Sequence, residues 1–300
     1  MDLSSTLVPS VQELAKKSLT KVPDQYVIPE GESVLASTAT SLPQVPVIDL
    51  SKLLSIDLKE LEKLNYACKE WGFFQMILLA LLLANIGVII YSLQLVNHGI
   101  STSLMENMKT KMYSVELKNL AIKVIELMAK ALAIDPNEMT EIFIEGTQTM
   151  RINYYPPCPQ PERVIGLKSH SDVGGLTILL QANDVQGLQI RKDGLWIPVL
   201  PLPNAFIINI GDMLEIMTNG IYRSIEHRAI VNSEMERISI ATFYGPDLKA
   251  ILAPAPSFVT LERPAQFKSV SVEDHFKGYF SQELRGKLYL DEVKIQNKSD

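Results

Sequence analysis

Cysteine is almost missing from this 300-residue chain. The two it has, Cys68 and Cys158, stand far apart and in no C-x-x-C or zinc spacing. That excludes a disulfide framework and a cysteine-held metal, and it fits a reducing compartment. Basic runs are missing as well. The net charge is −6 and the pI about 5.4, so the chain carries no electrostatic footprint for nucleic acid. The opening Met1-Asp-Leu-Ser-Ser lacks the charged-then-apolar pattern of a secretory leader, so the expectation is cytoplasmic. No internal repeat is evident. Charge is absent from Gly72 through Asn97, and histidine is scarce at four residues. What is plentiful is apolar side chain: 47% hydrophobic against 21% charged residues, enough core for one large domain or two small ones.

Two of the four histidines carry the strongest chemical signal. His170-Ser171-Asp172 places a histidine and a carboxylate at i, i+2, on one side of an extended segment. With His227 they make two histidines and one carboxylate, the facial triad that holds a non-haem Fe(II) and leaves positions open. An H-x-D pair alone is a weak motif, so its surroundings matter. The run Arg237-Ile-Ser-Ile-Ala-Thr-Phe-Tyr244 is β-branched and aromatic and reads as a strand. Arg237 and Ser239 then share a face, a guanidinium fork beside a hydroxyl that suits a carboxylate. Met150–Tyr155 reads the same way, with Asn153 and Tyr155 on one face. Singly, Arg237 is an ordinary strand charge and Asn153 with Tyr155 a satisfied core pair. Together with the triad, three polar pairs on three strands converge if the strands wrap into a barrel.

The rest of the chain divides by pattern. Residues 1–40 read as an extended arm with one helix at Ser10–Leu19, followed by a strand at Val45–Leu50 and a helix over Ser51–Trp71. Leu117, Leu120, Ala121, Val124, Leu127, Met128 and Ala131 form an apolar stripe that predicts a helix over Tyr113–Ile134. From Thr147 to Tyr244 short β runs alternate with turn residues, the pattern of a barrel or jelly roll. Asp193-Gly194 is a hairpin turn between two of them. Residues 271–290 read as helical and pack back on the barrel. The fold class is mainly β with flanking α, a double-stranded β-helix (jelly-roll) core with an N-terminal α/β region. The segments are 1–111, with an uncharged apolar stretch at 76–94, then 112–145 as bridging helices, 146–246 as the core, and 247–300 as a C-terminal extension.

Several motifs together resemble one family. Asn153-Tyr-Tyr-Pro-Pro-Cys-Pro159, Gly166-Leu-Lys-Ser-His-Ser-Asp172, Leu176-Thr-Ile-Leu-Leu-Gln181, Asn209-Ile-Gly-Asp212 and Asn219-Gly-Ile-Tyr-Arg-Ser-Ile-Glu-His227 look like the plant 2-oxoglutarate- and Fe(II)-dependent dioxygenases. Val8–Ala15 and Val45–Leu50 narrow the resemblance to the senescence-related and codeine-demethylase-like branch. The resemblance implies His170, Asp172 and His227 as iron ligands. It implies Arg237 and Ser239 as the clamp on the distal carboxylate of 2-oxoglutarate, and Asn153 and Tyr155 as the pair beside its keto-acid end. The implied activity is hydroxylation, O-demethylation or desaturation of a small plant specialised metabolite with O2, releasing succinate and CO2, with ascorbate a candidate reductant. The implied enzyme is a monomer.

Other residues receive plainer assignments. Phe243 and Trp196 are candidates for the pocket lining, with core packing the simpler reading; Phe243 is the only substrate candidate. His98 reads as a turn or buried structural histidine, His275 as surface helix, and Asp212 as a turn residue before it is an orienting acceptor. Lys168 points either toward the iron or outward.

Two places depart from the family pattern. Met76–Gln94 is uncharged and apolar, and its removal joins Trp71-Gly-Phe-Phe-Gln75 to Leu95-Val-Asn-His-Gly99 as one family-like strand, so it reads as an in-frame insertion. Around Lys109–Met112 the family carries several dozen further residues, including strands that complete the main sheet and wall the pocket. Two alternatives follow: a catalytically impaired splice or gene-model variant, or a protein tethered to a membrane through 76–93, a stretch close to the roughly 20 apolar residues a bilayer needs.

Overall fold

The structure, a computed structural model, describes residues 13–14, 16–17, 19–29, 42–78, 104–281 and 286–295. Strand β1 (Val47–Asp49) leads into helices α1 (Leu50–Leu54) and α2 (Leu58–Tyr66) and then β2 (Phe73–Ile77). Helices α3 (Leu104–Ala131) and α4 (Asn137–Ile144) precede β3 (Thr147–Tyr155), β4 (Ile165–His170), β5 (Leu176–Gln181), β6 (Leu188–Lys192), β7 (Leu195–Pro198) and β8 (Ala205–Ile210). Helix α5 (Asp212–Met217), β9 (His227–Ile230), β10 (Arg237–Gly245), β11 (Ile251–Leu252), β12 (Val270–Ser271), α6 (Val272–Phe280) and α7 (Leu288–Val293) complete the order.

Two sheets make the core. The larger runs β1-β2-β8-β5-β10-β3 and the smaller β4-β9-β6-β7. All pairings within them are antiparallel except β1 with β2. Side chains alternate across each strand, and the larger sheet uses both faces. Its outer face presents Phe206, Ile208 and Ile210 from β8, Ile178 from β5 and Ile240 from β10 to Val124, Leu127 and Met128 of α3. Its inner face turns Phe73 and Ile207 toward Leu188, Ile190 and Ile197 of the smaller sheet. That two-sided burial explains why β8 reads Ala-Phe-Ile-Ile-Asn-Ile with a single polar residue. Each such aliphatic side chain contributes about 1.5–3 kcal/mol when removed from water.

Turn chemistry sets where strands begin. Asp193 and Gly194 both take positive φ, 51° and 78°, as a two-residue hairpin between β6 and β7 requires. Gly72 (φ 60°) ends a π-helical turn over Ala67–Trp71, and a side chain there would strike the carbonyl of Arg223. Glycine at 72 therefore lets β2 start against the smaller sheet, with Phe73 facing inward.

Several expected boundaries shift. The helix expected over Ser51–Trp71 is broken, because Ile56 adopts φ 58° and Asp57 caps a new helix by accepting from the Glu60 N–H at 3.0 Å. The long helix begins earlier and ends at Ala131, two residues before Ala133 takes φ 56°. The strand expected over Val45–Leu50 shortens to β1, and the helical stretch expected over 271–290 becomes α6 and α7. His275, expected on a surface, is 0% exposed inside the packing of α6, beside the Tyr289 ring at 5.0 Å. Half of the helix expected at Ser10–Leu19 lies outside the described residues. So do His98 and the insertion, apart from its first residues: Met76 and Ile77 continue β2 in register with Phe206 and Ala205. Among the described residues no helix is long and apolar enough to cross a membrane. The β3 edge of the larger sheet pairs with no further strand among the described residues, and Ile152 on it is 54% exposed.

Candidate metal centre

His170 ends β4 and His227 begins β9, and the two are register partners across the smaller sheet. Two irregularities in the β4–β9 pairing, on either side of Leu167, aim His170 inward. Asp172 follows in the loop toward β5. Its Oδ1 lies 3.6 Å from Nε2 of His170 and 3.6 Å from Nε2 of His227, and one ligand atom from each residue falls within 4.8 Å of the others. All three residues are buried. The sequence expectation of one clustered triad is met, and those separations suit a shared ion better than direct hydrogen bonds.

Each partner of the triad is arranged to leave one donor atom free. Nδ1 of His170 lies 2.8 Å from the Lys168 carbonyl and Nδ1 of His227 3.2 Å from the Ile225 carbonyl. A carbonyl can only accept, so these contacts put the proton on Nδ1 and leave Nε2 with its lone pair. Asp172 Oδ2 accepts from the Thr177 hydroxyl at 2.6 Å and the Asn209 amide at 2.7 Å, so Oδ1 faces the histidines. The Phe73 ring meets His227 edge-on at 5.2 Å. Burial, with help from His227, lowers the pKa of His170 to about 4, which keeps its imidazole neutral at ordinary pH. Burial opposes ionisation of Asp172. His227, His170 and the two hydrogen bonds outweigh it and hold the carboxyl below the usual range.

The residues expected to bind a carboxylate stand on the opposite wall. Arg237 and Ser239 on β10 are register partners of Tyr155 and Asn153 on β3, so all four face one cavity with the triad. Arg237 is 3% exposed. Its guanidinium donates to Gln181 Oε1 at 3.0 Å and Ser239 Oγ at 3.3 Å, while its Nε makes no hydrogen bond. Among the described residues no carboxylate pairs with it. Burial lowers its pKa, with Tyr155 opposing, but a guanidinium stays charged. A buried guanidinium with no carboxylate partner among the described residues is a group that an anionic ligand would stabilise. The donor set and this fork fit a divalent iron and a small dicarboxylate.

Phe243 lines the same cavity. Trp196 does not; its ring lies under the guanidinium of Arg228 at 4.1 Å and of Arg191 at 5.9 Å. Lys168 is exposed and points outward. Asp212 is the first residue of α5 rather than a turn residue. Its N–H donates to the Asp172 carbonyl at 2.8 Å and its Oδ2 accepts from Ser171 at 3.1 Å, so it braces the loop between the histidine and the carboxylate. A larger cavity of about 780 Å³ runs along Arg151–Pro159 under Leu14, Val22 and Tyr26, sharing Arg151, Asn153 and Tyr155 with the metal cavity. Sequence reasoning gave no role to Thr177, Asn209, Phe73 or Gln181. The available signal for Asn209 was a lone polar residue in an apolar strand, Thr177 and Gln181 share β5, and Phe73 gave none.

Comparison with known proteins agrees with this geometry. The 2OG-Fe(II) oxygenase superfamily matches over residues 146–246. The oxoglutarate-dependent flavonoid 7-O-demethylase 1 of Ocimum basilicum is 42% identical, covering 97% of this chain and 92% of its own. Thebaine 6-O-demethylase of Papaver somniferum is 40% identical, covering 96% of each. The crystal structure of JOX2 in complex with 2OG, Fe and JA superposes with a TM-score of 0.81 at 28% identity, over 96% of this chain and 98% of that one. The first alignment spans 363 positions, more than the 300 residues here, so that relative carries residues that this chain lacks.

Proposed function

This chain belongs to the 2OG-Fe(II) oxygenase superfamily, and from that premise we propose which residues carry its chemistry and what it oxidises. It is an Fe(II)- and 2-oxoglutarate-dependent dioxygenase. We assign His170, Asp172 and His227 as the iron ligands, Arg237 and Ser239 as the clamp on the distal carboxylate of 2-oxoglutarate, and Asn153 and Tyr155 as the groups beside its keto-acid end. The core of this activity is the segment 146–246, flanked by 1–111, 112–145 and 247–300. Bound there, Fe(II) and 2-oxoglutarate would let O2 act as the oxidant, the co-substrate giving two of the electrons that O2 takes as it is decarboxylated to succinate and CO2.

The chain's own residues orient and shield. The Arg237 fork and Ser239 hydroxyl hold one end of a dicarboxylate, which fixes the direction in which its other end reaches the triad. His170 and His227 present unprotonated Nε2 atoms, and Asp172 presents one oxygen. Leu167, Leu179, Leu188, Ala229 and Ala241 line the cavity with apolar surface, which excludes water from the reacting centre. The substrate class supported by the O-demethylase relatives is a small plant specialised metabolite, oxidised by hydroxylation, O-demethylation or desaturation.

The observation that carries the reading is a buried guanidinium with no carboxylate partner among the described residues, in one cavity with a His-Asp-His cluster. The test is succinate release from 2-oxoglutarate by purified protein, with and without Fe(II), beside Asp172→Ala. Iron-dependent succinate release that Asp172→Ala abolishes is expected. Release independent of iron, or unchanged in the variant, refutes the assignment.

A further inference from the structure

Asp172 is held from one side only. Its Oδ2 takes two short hydrogen bonds, from Thr177 Oγ1 at 2.6 Å and Asn209 Nδ2 at 2.7 Å, while Oδ1 takes neither and stands 3.6 Å from both histidine Nε2 atoms. Thr177 and Asn209 are both buried. They are register partners on β5 and β8, so their relative position is set by the backbone ladder of the larger sheet rather than by loops. The same transverse row continues to Phe73 of β2, the partner of Asn209, whose ring meets His227. On the other side it continues to Phe243 of β10, the partner of Thr177. A single row across four strands thus touches two of the three triad side chains.

We propose that Thr177 and Asn209 are positioning residues that lock the Asp172 carboxylate with Oδ1 presented to the metal and Oδ2 withdrawn from it. The proposal rests on the assignment of Asp172 as an iron ligand. A carboxylate without these two donors is free to turn about its last torsion and offer both oxygens. A second oxygen near the metal would occupy space that the co-substrate or O2 requires. The choice of residues fits the task. Each donates toward Oδ2, and each is fixed on a strand whose other face is buried in the main core.

The test uses Co(II) as a probe, read by its visible absorption, in the full chain. Wild type is expected to bind one equivalent and Asp172→Ala to lose the band; retention in Asp172→Ala would defeat the parent assignment instead of this one. Thr177→Val keeps the shape and removes the hydroxyl, and Asn209→Leu removes the amide at similar volume. Both are expected to weaken Co(II) by roughly 10- to 100-fold and to change the shape of the band. Thr177→Ser, which keeps the hydroxyl, is expected to restore both. At saturating metal, Thr177→Val is also expected to raise the KM for 2-oxoglutarate more than it lowers kcat. Thermal unfolding of each variant separates a folding role from a positioning one. Lower melting temperature with a wild-type band and affinity would overturn the proposal, as would wild-type behaviour throughout. If Asn209→Leu does not fold, the Thr177→Val and Thr177→Ser pair decides alone.

Discussion

On β10, Ser239 and Ile240 are consecutive residues with opposite surroundings. Ile240 packs into the layer under α3 with Ile178 and Ile208, where every side chain named is apolar and the fit is measured in methyl groups. Ser239 faces the cavity beside Arg237, where a buried cation has no carboxylate partner, and its Nε no hydrogen bond, among the described residues. The two faces of one sheet therefore divide the work. The outer face holds the strands in place, and the inner face spends that rigidity on presenting charged and polar side chains to the cavity. Stability and chemistry should be separable by substitutions a single residue apart.

The largest expected effect comes from the inner face. His227→Ala should remove metal binding and take 2-oxoglutarate turnover below detection, with the melting temperature of the metal-free protein changed little; Co(II) titration and calorimetry check both. Measurable turnover at more than a few per cent of wild type would break the comparison. On the outer face, Ile240→Ala should cost about 2–5 kcal/mol of stability while leaving the KM for 2-oxoglutarate within about twofold, as read by urea unfolding and kinetics. Arg237→Lys keeps the charge and loses the fork. A loss of about 1.5–3 kcal/mol in charge-assisted hydrogen bonding should raise the KM for 2-oxoglutarate roughly 10- to 100-fold, and equal KM values would reject the clamp.

A pH titration sharpens the contrast further. Burial lowers His170 and His275 from 6.5 to about 4, so the unfolded chain takes up protons that the folded chain refuses. Their contribution to stability is complete above about pH 6.5 and disappears as the pH falls to about 4. Asp212, pushed by burial up to about 7, works in the other sense and loses stability as pH rises from 3.8 toward 7. His275→Phe should make the acid limb of the metal-free stability curve shallower and Asp212→Asn should make it steeper, as urea midpoints between pH 4 and 7 will report. The smallest effect belongs to Lys168→Ser, an exposed change outside both faces, expected within about 0.5 kcal/mol and without effect on turnover.

The residues assigned to the triad and the clamp were legible in part because a strand repeats every two residues. Arg237 with Ser239 and Asn153 with Tyr155 each announce a shared face before any fold is known, whereas Asp172 lies in the loop past β4 and was found by its residue type beside His170. The supports were not. Asn209 is the one polar residue of β8 and Thr177 shares β5 with Gln181, both strands being buried on both sides, and nothing local distinguishes a residue that holds a ligand from one that satisfies the core. Helix ends were misjudged where Ile56 and Ala133 take left-handed φ, a conformation their side chains do not advertise. His275 was misplaced because Glu273, Asp274 and Lys277 around it resemble a solvated face. Which strands neighbour which is a property of distant pairings, and only the fold brings Phe73 to His227.

The nine-residue register between β10 and β3 has a consequence for how this site can change over generations. Losing or gaining one residue within β10 would exchange its faces, sending Arg237 and Ser239 under α3 and turning Ile238 and Ile240 into the cavity. Losing or gaining two would restore the faces but carry the guanidinium about 7 Å along the strand, out of reach of Gln181. Length is thus inherited with a parity rule and then a distance rule, and β10 obeys both only at its present count. The loops are exempt, so new substrates should be reached by lineages that edit loops and leave every strand the length they found it.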